Sequence, residues 1–238
     1  MNQDESAVEG VAPANPTIPT IPVIAIDGPS GSGKGTLARA VADKLGWHLL
    51  DSGALYRIVG VMCLRRGVDF EDEAQVAALA AELSISFDEG QVSVAGLDLT
   101  DEIRTEDAGV NASKVAHLPA VRDAVFALQR SFRQAPGLVA DGRDMGTVVF
   151  QEASLKIFLD ASARERAERR YKQLKNKGLS VSLRGLLAQI EERDARDRGR
   201  AIAPLKPADD AIVVDSTAMS IDAVLQMVLT QAHNKGLC

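Results

Sequence analysis

The feature that most limits how this chain can fold is a set of five short apolar runs, each closing on an aspartate. They are Val23–Asp27, Trp47–Asp51, Leu138–Asp141, Leu155–Asp160 and Ala211–Asp215. Each is too short for a stable helix and shows no polar alternation, the pattern of strands in a parallel sheet covered on both faces. Helical patterns lie between and after them: Leu37/Val41/Leu45 up to Gly46, Leu55/Ile58/Val59/Met62 up to Gly67, Val121/Val125/Leu128/Phe132, and Ile221/Val224/Leu225/Val228. Gly46 and Gly67 stand where helix stops belong. Alternating strands and helices predict an α/β fold of three layers around a five-stranded parallel sheet. The five aspartates then line the C-terminal edge of that sheet, where such folds bind ligands.

One interval breaks the rhythm. Roughly 85 residues separate the second and third runs, far more than an ordinary crossover needs. Within them Val92 and Val94, then Leu97 and Leu99, alternate around Ala95-Gly96 over Gln91–Thr100, a hairpin signature. The expectation is a small α+β lobe at about residues 68–120, inserted into a core of residues 21–67 and 121–238. Residues 1–20 hold three prolines and several acids without periodicity, and are expected to form a disordered tail with no secretory signal.

Composition removes several function classes. Lys and Arg number 27 against 33 Asp and Glu, a net charge of −6, which argues against a general nucleic-acid binder. No apolar run is long enough to span a membrane. The two cysteines, Cys63 and Cys238, have neither CxxC nor Cys/His spacing, so neither a disulfide scaffold nor a zinc site is expected. The expected compartment is the reducing cell interior. Charge is uneven, however: residues 164–200 carry 12 Lys/Arg and 6 Asp/Glu, a basic segment on an acidic chain. It reads either as a solvated helical face or as a cover over a polyanion.

Gly28-Pro29-Ser30-Gly31-Ser32-Gly33-Lys34-Gly35-Thr36 follows the first strand and opens the Leu37/Val41/Leu45 helix. That context identifies a phosphate-binding P-loop. Glycines let backbone N–H groups approach phosphate oxygens, and the helix N-terminus adds unpaired donors and its dipole. Lys34 supplies a point charge for the β- and γ-phosphates. The general pattern places Ser or Thr directly after the lysine. Here Gly35 intervenes, and Thr36 is expected to supply the hydroxyl for Mg²⁺.

A P-loop alone leaves the fate of the phosphate open. No guanine-reading Asn-Lys-x-Asp occurs, because Asn176-Lys177 is followed by Gly178-Leu179, and no strand ends in the Asp-Glu common among ATPase motors. Arginines, in contrast, gather near the strand ends. Arg57 follows the second strand and Arg143 the third, while Arg193, Arg196 and Arg200 fall at i, i+3, i+7, the spacing of one helical face. Transfer between two phosphates must bring two polyanions together and stabilise charge on the moving group, which positioned arginines and Mg²⁺ do. Two anion pockets beneath a basic lid at about residues 164–203 therefore suggest a nucleotide-to-nucleotide kinase whose lid excludes water. A P-loop kinase with another acceptor, such as UMP, AMP or a small metabolite, and an ATP-binding switch without transfer remain as alternatives.

The segments IDGPSGSGKGT, HLLDSGALYR, NAS at Asn111–Ser113, GLVADGRDMGTVVF, KIFLDAS, ERDARDRGRAIAPL and VVDST together resemble the bacterial cytidylate kinases, from about Pro22 to near the C-terminus. Adenylate kinases share the GKGT loop but not DSGALYR or ADGRDMGT. The resemblance implies a nucleoside monophosphate kinase fold with core, enlarged monophosphate-binding lobe and lid. It also implies Mg²⁺-dependent transfer from ATP to CMP or dCMP, in the cytoplasm, by a monomer needing neither nucleic acid nor membrane. Carried onto this chain, the family's cytosine contacts fall on Ser113, Arg122 and Asp144. The acceptor phosphate falls to Arg57, Arg143 and Arg200 with Ser52 close by, and Arg193 and Asp197 reach sugar and phosphate from the lid. Lys34, Arg143, Arg193 and Arg200 would then carry the catalytic charge. A carboxylate at Asp144 suits the exocyclic amine of cytosine and opposes the carbonyl of uracil. Asp141 could hold a Mg²⁺ water.

Plainer roles stand beside some of these assignments, and certain other positions are expected to be structural. Asp197 stands four residues after Arg193, the spacing of an intrahelical pair. Arg196 and Arg198 read as solvated lid charges or ATP-side contacts, and one of Arg164, Arg166, Arg169 and Arg170 should touch ATP. His48, His117 and His233 show no acid–base partner, Trp47 and Tyr56 read as packing residues, and Cys63 as core.

Overall fold

Strand β1 (Val23–Asp27) is buried at every position, as are β6 (Leu138–Gly142) and all but the last residue of β7 (Leu155–Asp160). β2 (His48–Asp51) and β8 (Ile212–Asp215) are only partly buried, because they form the edges of one sheet in the order β2-β6-β1-β7-β8. All four pairings are parallel. The five apolar runs are thus the five strands. The computed structural model describes residues 21–88, 91–176 and 178–237. The predicted tail at residues 1–20 and Cys238 lie outside them.

Alternation along β1 divides the core. Val23 and Ala25 face a cluster that includes Leu50, Leu55, Ile58, Leu138 and Phe150, while Ile24 and Ile26 face Leu37, Val41, Leu159, Val224 and Val228. Helices α1 (Lys34–Leu45) and α8 (Ile221–Asn234) supply the second face, and α2 (Ser52–Arg66) and α5 (Pro119–Ser131) pack towards the first. Gly46 and Gly67 close α1 and α2 in the left-handed conformation, at φ 66° each.

The inserted lobe carries α3 (Glu73–Glu82), a three-stranded antiparallel sheet of β3 (Ile85–Asp88), β4 (Gln91–Val94) and β5 (Leu97–Asp98), and α4 (Glu106–Val115). The predicted hairpin is β4–β5, turning at Ala95 (φ 49°) and Gly96 (φ 83°), as a two-residue hairpin turn requires. Strand β3 adds a partner that the alternation at Gln91–Thr100 did not include. Among its described residues no separate apolar core forms: Val76, Val92, Leu99, Ile103 and Val115 join the cluster under the main sheet. Gly60 on α2 lets α4 approach, since a β-carbon there would stand 3.0 Å from Asn111 Cβ.

The basic segment forms two helices, α6 (Ala163–Asn176) and α7 (Leu183–Arg198). They share a small cluster of Ala167, Leu174 and Leu186, edged by Tyr171, Val181, Leu187 and Ile190. Arg200 lies beyond α7, past the cap at Gly199, and so does not continue the helical face of Arg193 and Arg196. Among the described residues, no helix is long and apolar enough to cross a membrane.

Candidate active site

The loop between β1 and α1 is shaped by glycine. Gly31 and Gly33 have φ of 78° and 95°, and a β-carbon at Gly28 would stand 2.1 Å from the Leu159 carbonyl oxygen. Helix α1 begins at Gly33 without a side-chain cap, so its first N–H groups stay open to an anion. The contrast with α2 is direct, because Asp51 caps that helix by accepting from the Ala54 N–H at 3.0 Å. Lys34 is buried, and its Nζ donates to the Pro29 carbonyl at 3.0 Å. Burial holds the Lys34 ammonium below its ordinary value, with Arg143 acting in the same direction. Burial also pushes up the Asp141 carboxyl, which Lys34 opposes.

Two cavities meet at this loop. The larger, about 930 Å³, runs from Gly31, Gly33 and Thr36 to Arg166, Arg169 and Arg170 of α6 and Arg196 of α7. The smaller, about 250 Å³, is walled by Ser52, Ser113, Arg122, Asp144, Arg143 and Arg200. Ser30, Lys34, Gly35, Asp51, Arg57 and Arg193 border both, so the cavities join beside the lysine. Asp141 and Asp197 also line the smaller one. Every residue assigned from the sequence to the acceptor is therefore brought to one chamber. Gly28, Pro29 and Ser32 line neither cavity; they shape the loop from behind.

Positive charge is concentrated there. Burial, reinforced by Arg143, pulls Arg193 down to about 10, and burial lowers Arg57 and Arg200 as well. Asp197 is the counter-charge: it accepts from Arg143 Nε at 3.0 Å and Arg200 Nη2 at 2.5 Å. Burial opposes its charge, but those arginines prevail and hold the carboxyl below its usual value. Its hydrogen-bonded partners are thus Arg143 and Arg200, not the intrahelical Arg193, whose Nε has none. Helix α4 admits this crowding through Gly109, where a β-carbon would stand 3.0 Å from an Arg57 nitrogen and 3.4 Å from one of Arg193. Arg57 itself donates to the Ile103 and Thr105 carbonyls at 2.9 and 3.0 Å.

Several buried polar atoms have no partner among the described residues: Ser113 Oγ, Asp141 Oδ1 and Arg193 Nε, all on residues bordering the smaller cavity. Buried groups of this kind are rarely left unpaired, and here they face a cavity where a ligand, an ion or water can complete them. Tyr56 packs in the core as expected but also borders the cavity, and burial pushes its hydroxyl up to about 12. At the far end Arg122 and Asp144, both buried, form an ion pair through Nη2 and Oδ2. Ser52 is set by Gln129, which donates to its Oγ at 2.8 Å. Gln129 interrupts the apolar stripe of α5, a signal that sequence reading passed over.

The lid arginines divide by their contacts. Arg166 is buried, donates to the Ser30 carbonyl at 2.9 Å and pairs with Asp194 of α7. Arg169 reaches the Ser32 and Ser216 carbonyls at 3.3 and 2.7 Å. Arg170 pairs with Glu106 of α4, bridging lid and lobe. Arg164 and Arg196 pair within their own helices, and Arg198 lies 3.7 Å from Asp160. His48 Nε2 lies 3.0 Å from the Ala135 carbonyl oxygen, and Cys63 is buried.

The residues fit a nucleotide-borne Mg²⁺. Asp141 presents an unpartnered Oδ1, and its Oδ2 would stand 3.1 Å from a β-carbon at Gly35, so the glycine after Lys34 leaves room for this carboxylate. Thr36 lines the larger cavity. No group of three or more His, Cys, Asp or Glu able to hold a metal occurs among the described residues.

A family model described as cytidylate kinase matches residues 24–234. A protein of Aeromonas hydrophila named cytidylate kinase is 60% identical over 214 residues, covering 88% of this chain and 93% of that protein. One of Pseudomonas aeruginosa with the same name is 57% identical over 219 residues, covering 90% and 96%. Among solved structures, a shikimate kinase from Acinetobacter baumannii aligns over 92% of this chain and 97% of its own, with a TM-score of 0.42 and 17% identity.

Proposed function

The chain belongs to the cytidylate kinase family, and from that premise we propose that it transfers the γ-phosphoryl group of ATP to CMP or dCMP, giving ADP and CDP or dCDP. The observation that carries the reading is the junction of two cavities at Lys34, one bordered by the P-loop and lid, the other by four arginines and the Arg122–Asp144 pair. In this reading the larger cavity takes ATP, its phosphates cradled by Ser30, Gly31 and Gly33 to Thr36, in a loop whose shape Gly28, Pro29 and Ser32 support. The smaller takes the monophosphate, with the phosphate among Ser52, Arg57, Arg143, Arg193 and Arg200 and the base against Ser113, Arg122 and Asp144. Asp197 orients Arg143 and Arg200 while it borders the sugar.

Such a site needs little covalent chemistry. The acceptor phosphate is largely dianionic near neutral pH, since its second pKa is about 6, so an oxygen can attack without a general base. Lys34 and the arginines stabilise charge on the moving group, and they do so in a buried chamber where water competes poorly. Thr36 and, through water, Asp141 would hold Mg²⁺, which when bound neutralises charge on the donor phosphates. The lid helices exclude water that would otherwise accept the phosphoryl group. The proposal is of a monomer acting in the cytoplasm, with no nucleic acid or membrane partner.

The test is ADP release with CMP, dCMP, UMP, AMP and dTMP as acceptors. CMP and dCMP should give the highest kcat/KM. ATP binding without ADP release in the presence of any acceptor would point instead to a nucleotide-sensing switch.

A further inference from the structure

Asp27, the last residue of β1, borders neither cavity, yet both oxygens of its buried carboxyl accept from backbone amides. Oδ1 accepts from the Met145 N–H and Oδ2 from the Gly146 N–H, each at 2.8 Å. These two amides begin a single π-helical turn, Met145–Val149, a rare conformation associated with functional sites. The turn is held from its other side as well, because the Asp144 carbonyl accepts from Val148 and Val149 at 2.9 and 3.1 Å. Asp144 is therefore clamped along its backbone: its carbonyl by the turn, and the next two N–H groups by Asp27. Its side chain alone leaves the turn, to meet Arg122 in the acceptor cavity. The fit around the clamp is close. A β-carbon at Gly146 would stand 3.1 Å from Lys156 Cδ and 3.4 Å from Asp27 Oδ2.

We propose that Asp27 is a positioning residue for base discrimination: by holding the Met145 and Gly146 amides it fixes the direction in which Asp144 presents its carboxylate to the pyrimidine. This rests on the reading that Asp144 meets the base. The physical basis is that a hydrogen bond discriminates only when its geometry is fixed, and small misplacements at a site cost large factors in rate. An asparagine at position 27 can accept from only one of the two amides, since its NH₂ opposes the other, so one end of the clamp opens while the side-chain volume is kept.

Asp27→Asn should lower the CMP/UMP ratio of kcat/KM by about 10- to 100-fold, chiefly through KM for CMP, with KM for ATP unchanged. Hydrogen exchange at the Met145 and Gly146 amides should accelerate in the same variant. Gly146→Ala, which crowds the clamp from the other side and keeps the carboxylate, should move the ratio in the same direction and carries the test if Asp27→Asn does not fold. Asp144→Asn is the reference. A ratio altered by Asp144→Asn but unmoved by folded Asp27→Asn or Gly146→Ala overturns the positioning role and leaves base reading intact. A ratio unmoved by Asp144→Asn overturns base reading and this inference with it.

Discussion

The Arg122–Asp144 pair makes an unusual prediction about Asp144→Asn. Arg122 uses Oδ2 of Asp144, and a guanidinium has five donors and no acceptor. In the variant, Arg122 can therefore be satisfied only by the amide oxygen, which turns the NH₂ towards the place held by Oδ1. That place is the one proposed to face the 4-position of the pyrimidine. Cytosine presents an amine there and uracil a carbonyl. CMP then exchanges a charge-assisted hydrogen bond for a clash of two donors, a loss of about 1.5–3 kcal/mol or roughly 10- to 150-fold in kcat/KM. UMP gains a neutral hydrogen bond of about 0.5–1.5 kcal/mol, roughly 2- to 10-fold. The preference should move towards UMP by a combined factor of about 20 to 1,500, with KM for ATP constant. The assay is steady-state ADP release with each acceptor, alongside a melting curve, because Arg122 keeps an acceptor but loses its counter-charge. A fall in CMP and UMP activity by the same factor would refute the assignment and leave Asp144 as no more than Arg122's structural partner.

Lys34→Met should lower kcat on the order of 10³-fold or more while CMP binding by calorimetry barely changes, since the ammonium is asked to follow the moving phosphoryl group and not to hold the base. Asp194→Ala removes the partner of buried Arg166, and stranding a buried charge costs about 3–5 kcal/mol, or about 10 °C in Tm for a chain this long. An unchanged Tm would mean that Arg166 is satisfied by the Ala161 and Ser30 carbonyls alone. Burial, opposed by two N–H donors and aided by nearby Asp144 and Asp141, pushes the Asp27 carboxyl up to about 7. The native state thus holds a proton that the unfolded chain releases near pH 4. The stability so contributed is present at low pH and is lost as pH rises through about 7. Between pH 5 and about 8, Tm should therefore fall less in Asp27→Asn than in the parent protein, and parallel curves would contradict the raised value.

The sheet was legible because all five strands announce themselves as apolar runs, and the P-loop because strand, glycines, lysine and helix occur in order. The phosphate end of the acceptor chamber was legible from its arginines, but the base end only through resemblance. Arg122 and Asp144 are 22 positions apart and carry no local sign that they meet. Strand β3 escaped notice because Ile85-Ser86-Phe87-Asp88 is too short to show a period. The π-helical turn lies in Met145-Gly146-Thr147-Val148-Val149, an apolar stretch whose first two amides are held by Asp27, far away in sequence. Arg200 was assigned to a helical face although Gly199 stood before it as a visible stop. Asp27 itself looked like its four strand-ending counterparts until its two amide partners were seen.

The apolar cluster under the lobe is the same one that underlies the sheet, whereas the two lid helices share little beyond Ala167, Leu174 and Leu186. The two flaps over the site therefore have unequal thermal reserve. Mild heat or denaturant should loosen the lid well before the lobe, because local opening follows the amount of apolar surface holding each element down. In that interval the acceptor chamber still stands, but the donor phosphates are open to solvent. The enzyme should then leak: ATP hydrolysis would rise relative to CMP phosphorylation below the global melting point, a fault in fidelity that precedes any loss of fold.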